Sequence, residues 1–442
     1  MKERFFSWVL VLLCILSFPL AAQEGFGFGD IADDGSAGFG GLGGGSPLAV
    51  SVSGEVGMEL LGYVREFDEP LDTALDGNLQ GRLNFEAQGA NVKGAINLNV
   101  NPPDETFTFG SVTLDEAYLQ TWFGDFEIEG GLRKLTWGKA DSMGPLDVIN
   151  PYDYRSFTNI ADSMEIKLAQ PMIHASYHAG SFSKIEAVLL PWFSPHRFAE
   201  SGRWAQSSTS PLPVTRPSND ELNTLKYAQA GARFTTTIGP ADIGAQYFYG
   251  RMYQPAAAIT FTGAIPAGIA LDYNRYHQIG LDYAQVIAGF NVRAEAATNL
   301  TGDLDGDDGA VYNPTIAWSL GFDRDLFWGI NLNLQCNESI HLMNDEVSDD
   351  PLLDIEAGSE LTSTRISAIL SKKFLRDELE VRATGICGIE TKDFLIVPGG
   401  IYWTIQDVQL ELAAGIFGGD KNGQLGQYHG NSFVKVGLVY TF

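Results

Sequence analysis

The sequence predicts an all-β fold, a transmembrane antiparallel β-barrel of about 18 strands, with 16 as the alternative. Three observations lead there. Apolar and polar residues alternate over segment after segment, short and long connections alternate between those segments, and beyond the N-terminal leader no stretch holds 18 or more consecutive apolar residues. Strict alternation gives a strand one apolar and one polar face. A wall of such strands crosses a bilayer only when it closes on itself, since an open edge leaves backbone groups unpaired in lipid. The 50 glycines and 12% aromatic residues, with a mean hydropathy near zero, fit hydrophobicity spread over alternate positions.

Taken in order, residues 1–22 read as a secretory signal peptide: Lys2 and Arg4, an apolar run from Trp8 to Phe18, then Ala21 and Ala22. Cys14 follows Leu12 and Leu13, a poor context for lipoprotein cleavage. Cleavage after Ala22 removes Lys2, Glu3 and Arg4, a net +1, and takes the formal charge from −27 to −28. That sign argues against nucleic acid as a partner. Cys336 and Cys387 remain, too few for a disulfide framework. Residues 23–47, which include EGFGFGDIADDGSAGFGGLGGGS, are expected to be a flexible periplasmic leader, with a plug in the pore as the alternative. The barrel takes residues 48–442.

The first strand shows Val50, Val52, Val56, Met58 and Leu60 against Ser51, Ser53, Glu55 and Glu59. Later, Leu79, Leu83, Phe85 and Ala87 alternate with Gln80, Arg82, Asn84 and Glu86, and Ile330, Leu332, Leu334 and Cys336 with Asn331, Asn333, Gln335 and Asn337. Short turns fall at 88–91, 124–125, 179–181, 239–241, 288–289, 323–325, 376–378 and 406–407. Long connections fall between them, at 66–76, 101–110, 138–162, 194–225, 254–272, 301–311, 341–359 and 419–430. The weak place is GIETKDF, where a long connection is due and only Thr391 to Asp393 is available. A barrel in an outer membrane has reason to sort its connections this way, short ones facing the periplasm and long ones outside. Trp122, Phe123, Trp137, Trp192, Phe193, Tyr247, Tyr249, Phe327, Trp328, Tyr402 and Trp403 sit near strand ends, as aromatic girdles at the headgroup level require.

The chain ends SFVKVGLVYTF, with Phe442, Tyr440, Leu438, Val436 and Val434 on one face. This resembles the C-terminal signal of bacterial outer-membrane barrels, which implies recognition by the barrel-assembly machinery. A second segment, WGKADSMGPLDVINPYDY, resembles a strand-to-loop segment of poorly characterised outer-membrane barrels that include alginate-export-like proteins. The resemblance rests on Trp137, Gly138, Asn150, Pro151 and Asp153. Together the two imply a porin-like barrel.

Strand parity points a charge ladder inward. Its cations are Arg82, Lys93, Arg133, Lys167, Lys184, Arg233, Arg293, Arg365, Arg382 and Lys435. Its anions are Glu55, Glu59, Glu86, Glu127, Glu129, Glu165, Glu186, Asp242, Asp282, Glu295, Glu380 and Glu411. Nearly balanced, they predict a wet, polar lumen, or a barrel closed by its own ionic network. The loop 138–162 is expected to fold inward as a constriction carrying Lys139, Asp141, Asp147, Asp153 and Arg155; failing that, Asn150, Pro151 and Asp153 make a rigid turn. Acidic loops, with Glu66, Asp68, Glu69, Asp72 and Asp76 in one and Asp345, Glu346, Asp349, Asp350, Asp354, Glu356 and Glu360 in another, would attract cations over about 10 Å.

Other chemistry finds little support. GDLDGDDG places Asp303, Asp305, Asp307 and Asp308 close together, but an EF-hand needs Gly and Glu where Asp308 and Pro314 stand. His174 and His178, four apart on a strand, are about 13 Å distant and poorly placed to share a metal. No nucleophile motif occurs. Cys336 and Cys387 fall on the lipid-facing parity as small apolar fillers. The expectation is therefore a non-enzymatic outer-membrane channel for passive diffusion of small polar solutes, without cofactor, in contact with outer-membrane lipid, and a possible homo-oligomer. Surface binding through 194–225 and 254–272, or substrate-specific transport, are the alternatives.

Overall fold

The computed structural model describes residues 49–66, 74–101, 111–141, 143–205, 212–405 and 407–442. The signal peptide, the Gly-rich leader, Asp68, Glu69 and Asp72 lie outside the described residues.

Eighteen strands form one sheet: β1 (Ala49–Tyr63), β2 (Leu75–Gln88), β3 (Val92–Asn101), β4 (Ser111–Phe123), β5 (Phe126–Arg133), β6 (Gln170–His178), β7 (Ser183–Leu190), β8 (Gln229–Ile238), β9 (Ala241–Arg251), β10 (Arg275–Ile287), β11 (Phe290–Thr301), β12 (Thr315–Asp325), β13 (Ile330–His341), β14 (Thr362–Phe374), β15 (Leu379–Gly388), β16 (Asp393–Ile405), β17 (Val408–Gly419) and β18 (Phe433–Thr441). Each pairs antiparallel with its neighbour in sequence, and β18 pairs back onto β1 from Glu55↔Thr441 to Tyr63↔Phe433. The ring is closed, so no edge strand is left unpaired.

The alternation of connections is observed. At one end the strands are joined by two to four residues, and at the other, 389–392 excepted, by long loops, of which 134–169 and 191–228 are the longest. One turn is displaced from its sequence position: Asp323–Asp325 continue β12, and the chain reverses at Phe327–Gly329 instead, with Trp328 at φ 64° and Gly329 at 69°. The short GIETKDF connection is real, with only 389–392 between β15 and β16.

Burial is inverted relative to a soluble protein. On β8, Phe234 is 43% exposed and Arg233 5%; on β10, Leu281 is 59% exposed and Asp282 3%. Period-two alternation thus puts hydrocarbon on the outer surface and ionic groups inside, as lipid outside and polar groups within demand. Val434, Tyr440 and Phe442 face outward, while Phe433 and Lys435, on either side of Val434, are buried. Among the proposed girdle aromatics, Phe123, Tyr247, Tyr249, Phe327 and Trp328 are exposed, but Trp137 and Phe193 are buried. The correction has one cause: both residues follow the end of a strand and turn inward, Trp137 against wall residues such as Val188 and Phe248, and Phe193 against loop residues such as Leu222 and Tyr227.

Two of the long loops singled out by sequence meet. Residues Ala256–Thr262 and Ile265–Asp272 form a hairpin, and Val214–Thr215 of the preceding loop adds alongside it.

Candidate functional site

The loop 134–169 leaves the wall after Arg133 and rejoins it at Gln170. Buried Asn150 ties its neck: the side chain accepts from the Leu135 N–H (2.8 Å) and donates to the Arg133 carbonyl (2.9 Å) and the Leu168 carbonyl (2.8 Å). Pro151 then accepts from the Leu168 N–H. Asn150 and Pro151 thus fasten the two ends of the loop to each other.

The rest of the loop bonds to inward-facing wall residues instead of standing above them. Glu295 on β11 is the anchor. One carboxylate oxygen accepts the N–H of Lys139 and of Ala140 (2.7 Å), and the other accepts that of Leu146 (3.3 Å). The glycines of W-G-K-A-D-S-M-G make this possible. A Cβ on Gly138, whose φ is 99°, would stand 2.4 Å from one oxygen, and one on Gly144 would stand 2.5 Å from the other. Trp137 lies over Gly231 of β8 and Leu146 over Gly280 of β10, each where a side chain would collide. Gln246 of β9 and Gln278 of β10 donate to the carbonyls of Leu146 and Pro145, both at 3.0 Å. Asp141 accepts from Arg293 and from Asn333 (2.7 Å), while its N–H donates to Gln335 (2.8 Å).

On the far side, Glu165 pairs with Arg82 of β2, and Lys435 of β18 reaches Asn159 at 3.4 Å. The Arg82 hydrogen bond holds the Glu165 carboxyl below its usual range. Loop 134–169 thus bonds to β2, β9, β10, β11, β13 and β18, strands distributed around the ring, and so crosses the lumen.

The five residues expected at the constriction separate into three groups. Asp141 meets Arg293, and Lys139 comes within 4.0 Å of Asp242. Asp147 is internal to the loop, held by buried Lys167 (2.7 Å) and by the Tyr152 hydroxyl (2.7 Å), and burial, with that carboxylate added, pushes the Tyr152 phenol well above its usual range. Asp153 and Arg155 pair with each other. Lys167 and Glu165, assigned to the wall by parity, belong to the loop: between Arg133 and Gln170 the chain supplies no strand of the barrel wall, and Glu165 lies in the short helix Ser163–Ile166, so counting by twos loses its meaning there.

The charge ladder is present as paired groups. Arg82 lies 3.3 Å from Glu55, Lys93 2.8 Å from Glu86, Arg133 3.4 Å from Glu129, Lys435 2.9 Å from Glu411, and Arg382 3.7 Å from Glu380. Glu127 accepts from Gln120 at 2.5 Å. His174 is buried between Glu129 (2.9 Å) and Glu186 (3.3 Å). Arg365 forms none of the ion pairs among the described residues and donates to Gln424 instead.

An entirely polar lumen does not hold. At the long-loop end, Ile386, Leu395, Phe417 and Phe433 turn inward and pack against Tyr152, Ile160, Trp204, Leu425 and Tyr428 from three loops. Sequence reading missed Trp204, Leu425 and Tyr428 because loop residues have no face to count; their only signal was apolar bulk in polar loops. Beside the crossing loop lie a cavity of about 140 Å³, lined in part by Asp141, Asp147, Lys167 and Glu295, and a smaller one of about 40 Å³ by Arg365; Met143 borders both.

In the GDLDGDDG segment, the Asp303 carboxylate accepts the N–H groups of Gly306 (2.9 Å) and Asp308 (2.8 Å), so it closes a turn. Cys336 and Cys387 are free thiols, both opposite Ile366 of β14 from its two sides.

No protein-family model and no curated protein matches the chain. Among solved structures, a mutant of the Rh. blastica porin is 11% identical at a TM-score of 0.41, covering 89% of this chain and 100% of that one. The Salmonella typhi OmpF complex with Daunomycin gives 10%, 0.43, 89% and 97%, and the outer membrane channel DcaP of Acinetobacter baumannii 11%, 0.43, 89% and 97%. By its closed wall of 18 strands and its outward apolar face, the chain has the fold of a transmembrane antiparallel β-barrel.

Proposed function

We propose that this protein is an outer-membrane channel through which small polar solutes diffuse passively, and that it is not an enzyme. The observation that carries the reading is the anchoring of loop 134–169 across the lumen of a closed barrel, with Glu295 holding three of its N–H groups. A loop so placed narrows the passage without adding catalytic chemistry, and Lys139, Asp141, Arg293 and Asp323 supply the charges a solute meets there. The apolar outer face supports residence in lipid. The chain reaches that membrane through its N-terminal signal, and the barrel-assembly machinery reads Val434, Val436, Leu438, Tyr440 and Phe442. Acidic groups such as Asp345, Glu346, Asp349 and Asp350 at the long-loop end favour cations at the mouth.

A specific observation favours surface binding as a second reading. The loop hairpin ends in an uncharged tip with Phe261 55% and Ile265 71% exposed. Single-channel recording in a planar bilayer under a salt gradient separates the two. Discrete steps with weak cation preference support the channel; a silent bilayer, with the barrel shown to be folded by heat-modifiable migration, overturns it in favour of binding.

A further inference from the structure

The polar inner wall ends abruptly on one side of the lumen. Asn337 on β13 stands opposite Arg365 on β14, and Ser367, one inward position along β14, stands opposite Ile386 on β15. From Ile386 the same row continues apolar, through Leu395 on β16 to Phe417 on β17. Arg365 therefore sits at the border between an amide-and-hydroxyl wall and a hydrocarbon wall. Loops close the border from above with Met143, Ile160 and Leu425, leaving the cavity of about 40 Å³. A half-buried guanidinium bordering apolar surface has donors free to take a carboxylate, the partner its geometry matches best. Among the described residues Arg365 has no carboxylate partner, and it donates to the neutral Gln424 side chain instead.

From this juxtaposition we propose that Arg365, Ser367 and Asn337 bind the head of a small amphipathic monocarboxylate whose short apolar body lies against Ile386, Leu425 and Met143. Arg365 presents paired donors that match a carboxylate, and Ser367 and Asn337 add neutral ones. The apolar row excludes water from the body of the ligand and discriminates by chain length, at about 0.8 kcal/mol or roughly fourfold per methylene buried. The proposal rests on the channel reading and names a solute class within it: an anion selected inside the pore although the outer loops are acidic.

The test uses the full-length mature protein, with butyrate, acetate and butylammonium as probes. In planar bilayers, butyrate should reduce the open-channel current at concentrations at least tenfold below acetate, and butylammonium should not. Arg365→Gln should weaken the butyrate effect at least tenfold, Arg365→Lys less, and Ile386→Asn should erase the preference for butyrate over acetate. Equal blockade of wild type and Arg365→Gln, or equal potency of butyrate and butylammonium, overturns the proposal while steps in the current leave the channel reading intact. Calorimetric titration of butyrate in detergent separates the reverse case: heat that is lost in Arg365→Gln but present in a non-conducting wild type upholds the site and removes the channel. No heat and no blockade in folded wild type overturns the site. The Arg365→Lys variant keeps the comparison open where Arg365→Gln does not fold.

Discussion

Glu295→Ala is the sharpest perturbation available. In the native barrel the Glu295 side chain is the acceptor for the N–H groups of Lys139, Ala140 and Leu146, and it is 4% exposed. Removing it strands one buried and two part-buried donors, at about 1–3 kcal/mol each. The donors share one acceptor and do not add fully, so a loss of about 4 kcal/mol is expected for the anchored loop. At 1.4 kcal/mol per tenfold, this lowers the ratio of anchored to released loop by roughly a thousandfold. Single-channel recordings should then show a larger conductance, or rapid fluctuation between two levels, in a barrel whose heat-modifiable migration is unchanged. Glu295→Gln keeps the oxygen that serves Lys139 and Ala140 and loses the acceptor for Leu146, so it should shift the ratio only about tenfold. Alanine and glutamine variants with the conductance and noise of the wild type would refute the idea that Glu295 holds the loop across the passage.

Further outcomes follow from the same geometry. Gly138→Ala should impair folding yield far more than Gly180→Ala: both glycines have positive φ, but only the Gly138 Cβ meets the Glu295 carboxylate, while the space at Gly180 is open. Asn150→Ala removes three hydrogen bonds at the neck of the loop and should lower stability by about 2–4 kcal/mol, read as a lower midpoint of heat-modifiable unfolding. His196, half-buried beside Tyr152 and accepting its N–H, is depressed by desolvation from 6.5 to about 4. The unfolded chain therefore takes up the proton first. Stability is full above pH about 6.5, falls by about 3 kcal/mol as pH drops to about 4, and levels off below. A His196→Gln variant should show a flatter profile over that window. Deleting Phe442 removes two backbone bonds to Gly54 and should reduce the amount of barrel reaching the outer membrane while barrel refolded in detergent still forms.

The wall was legible because alternation is enforced at every position of a two-faced strand, so Phe234 and Arg233, or Leu281 and Asp282, could be assigned to opposite sides by counting. Counting failed where the chain left the sheet. Parity puts Lys167 and Glu165 on the wall although they belong to loop 134–169, and position at a strand end puts Trp137 and Phe193 in the girdle although they are buried. The anchor was half visible. Glu295 was named as a wall carboxylate and W-G-K-A-D-S-M-G as a motif, but nothing in either segment says that Gly138 and Gly144 are small so that this one carboxylate can approach. Such pairings join residues some 150 positions apart, beyond the reach of any local rule. The aromatic packing of Trp204 and Tyr428 against Phe417 was hidden for the same reason.

The pairing of β1 with β18 also sets the order in which the molecule can be built. Every other ladder of the wall joins strands adjacent in sequence and needs only a turn or loop to form, whereas the seam joins Glu55 to Thr441. Closing a chain segment of that length costs roughly 5 kcal/mol of entropy on a logarithmic scale, and none of it is returned until the seam zips. A ribbon of neighbouring hairpins must therefore grow first, carrying two temporarily open edges, and the cylinder becomes a cylinder only in its final step.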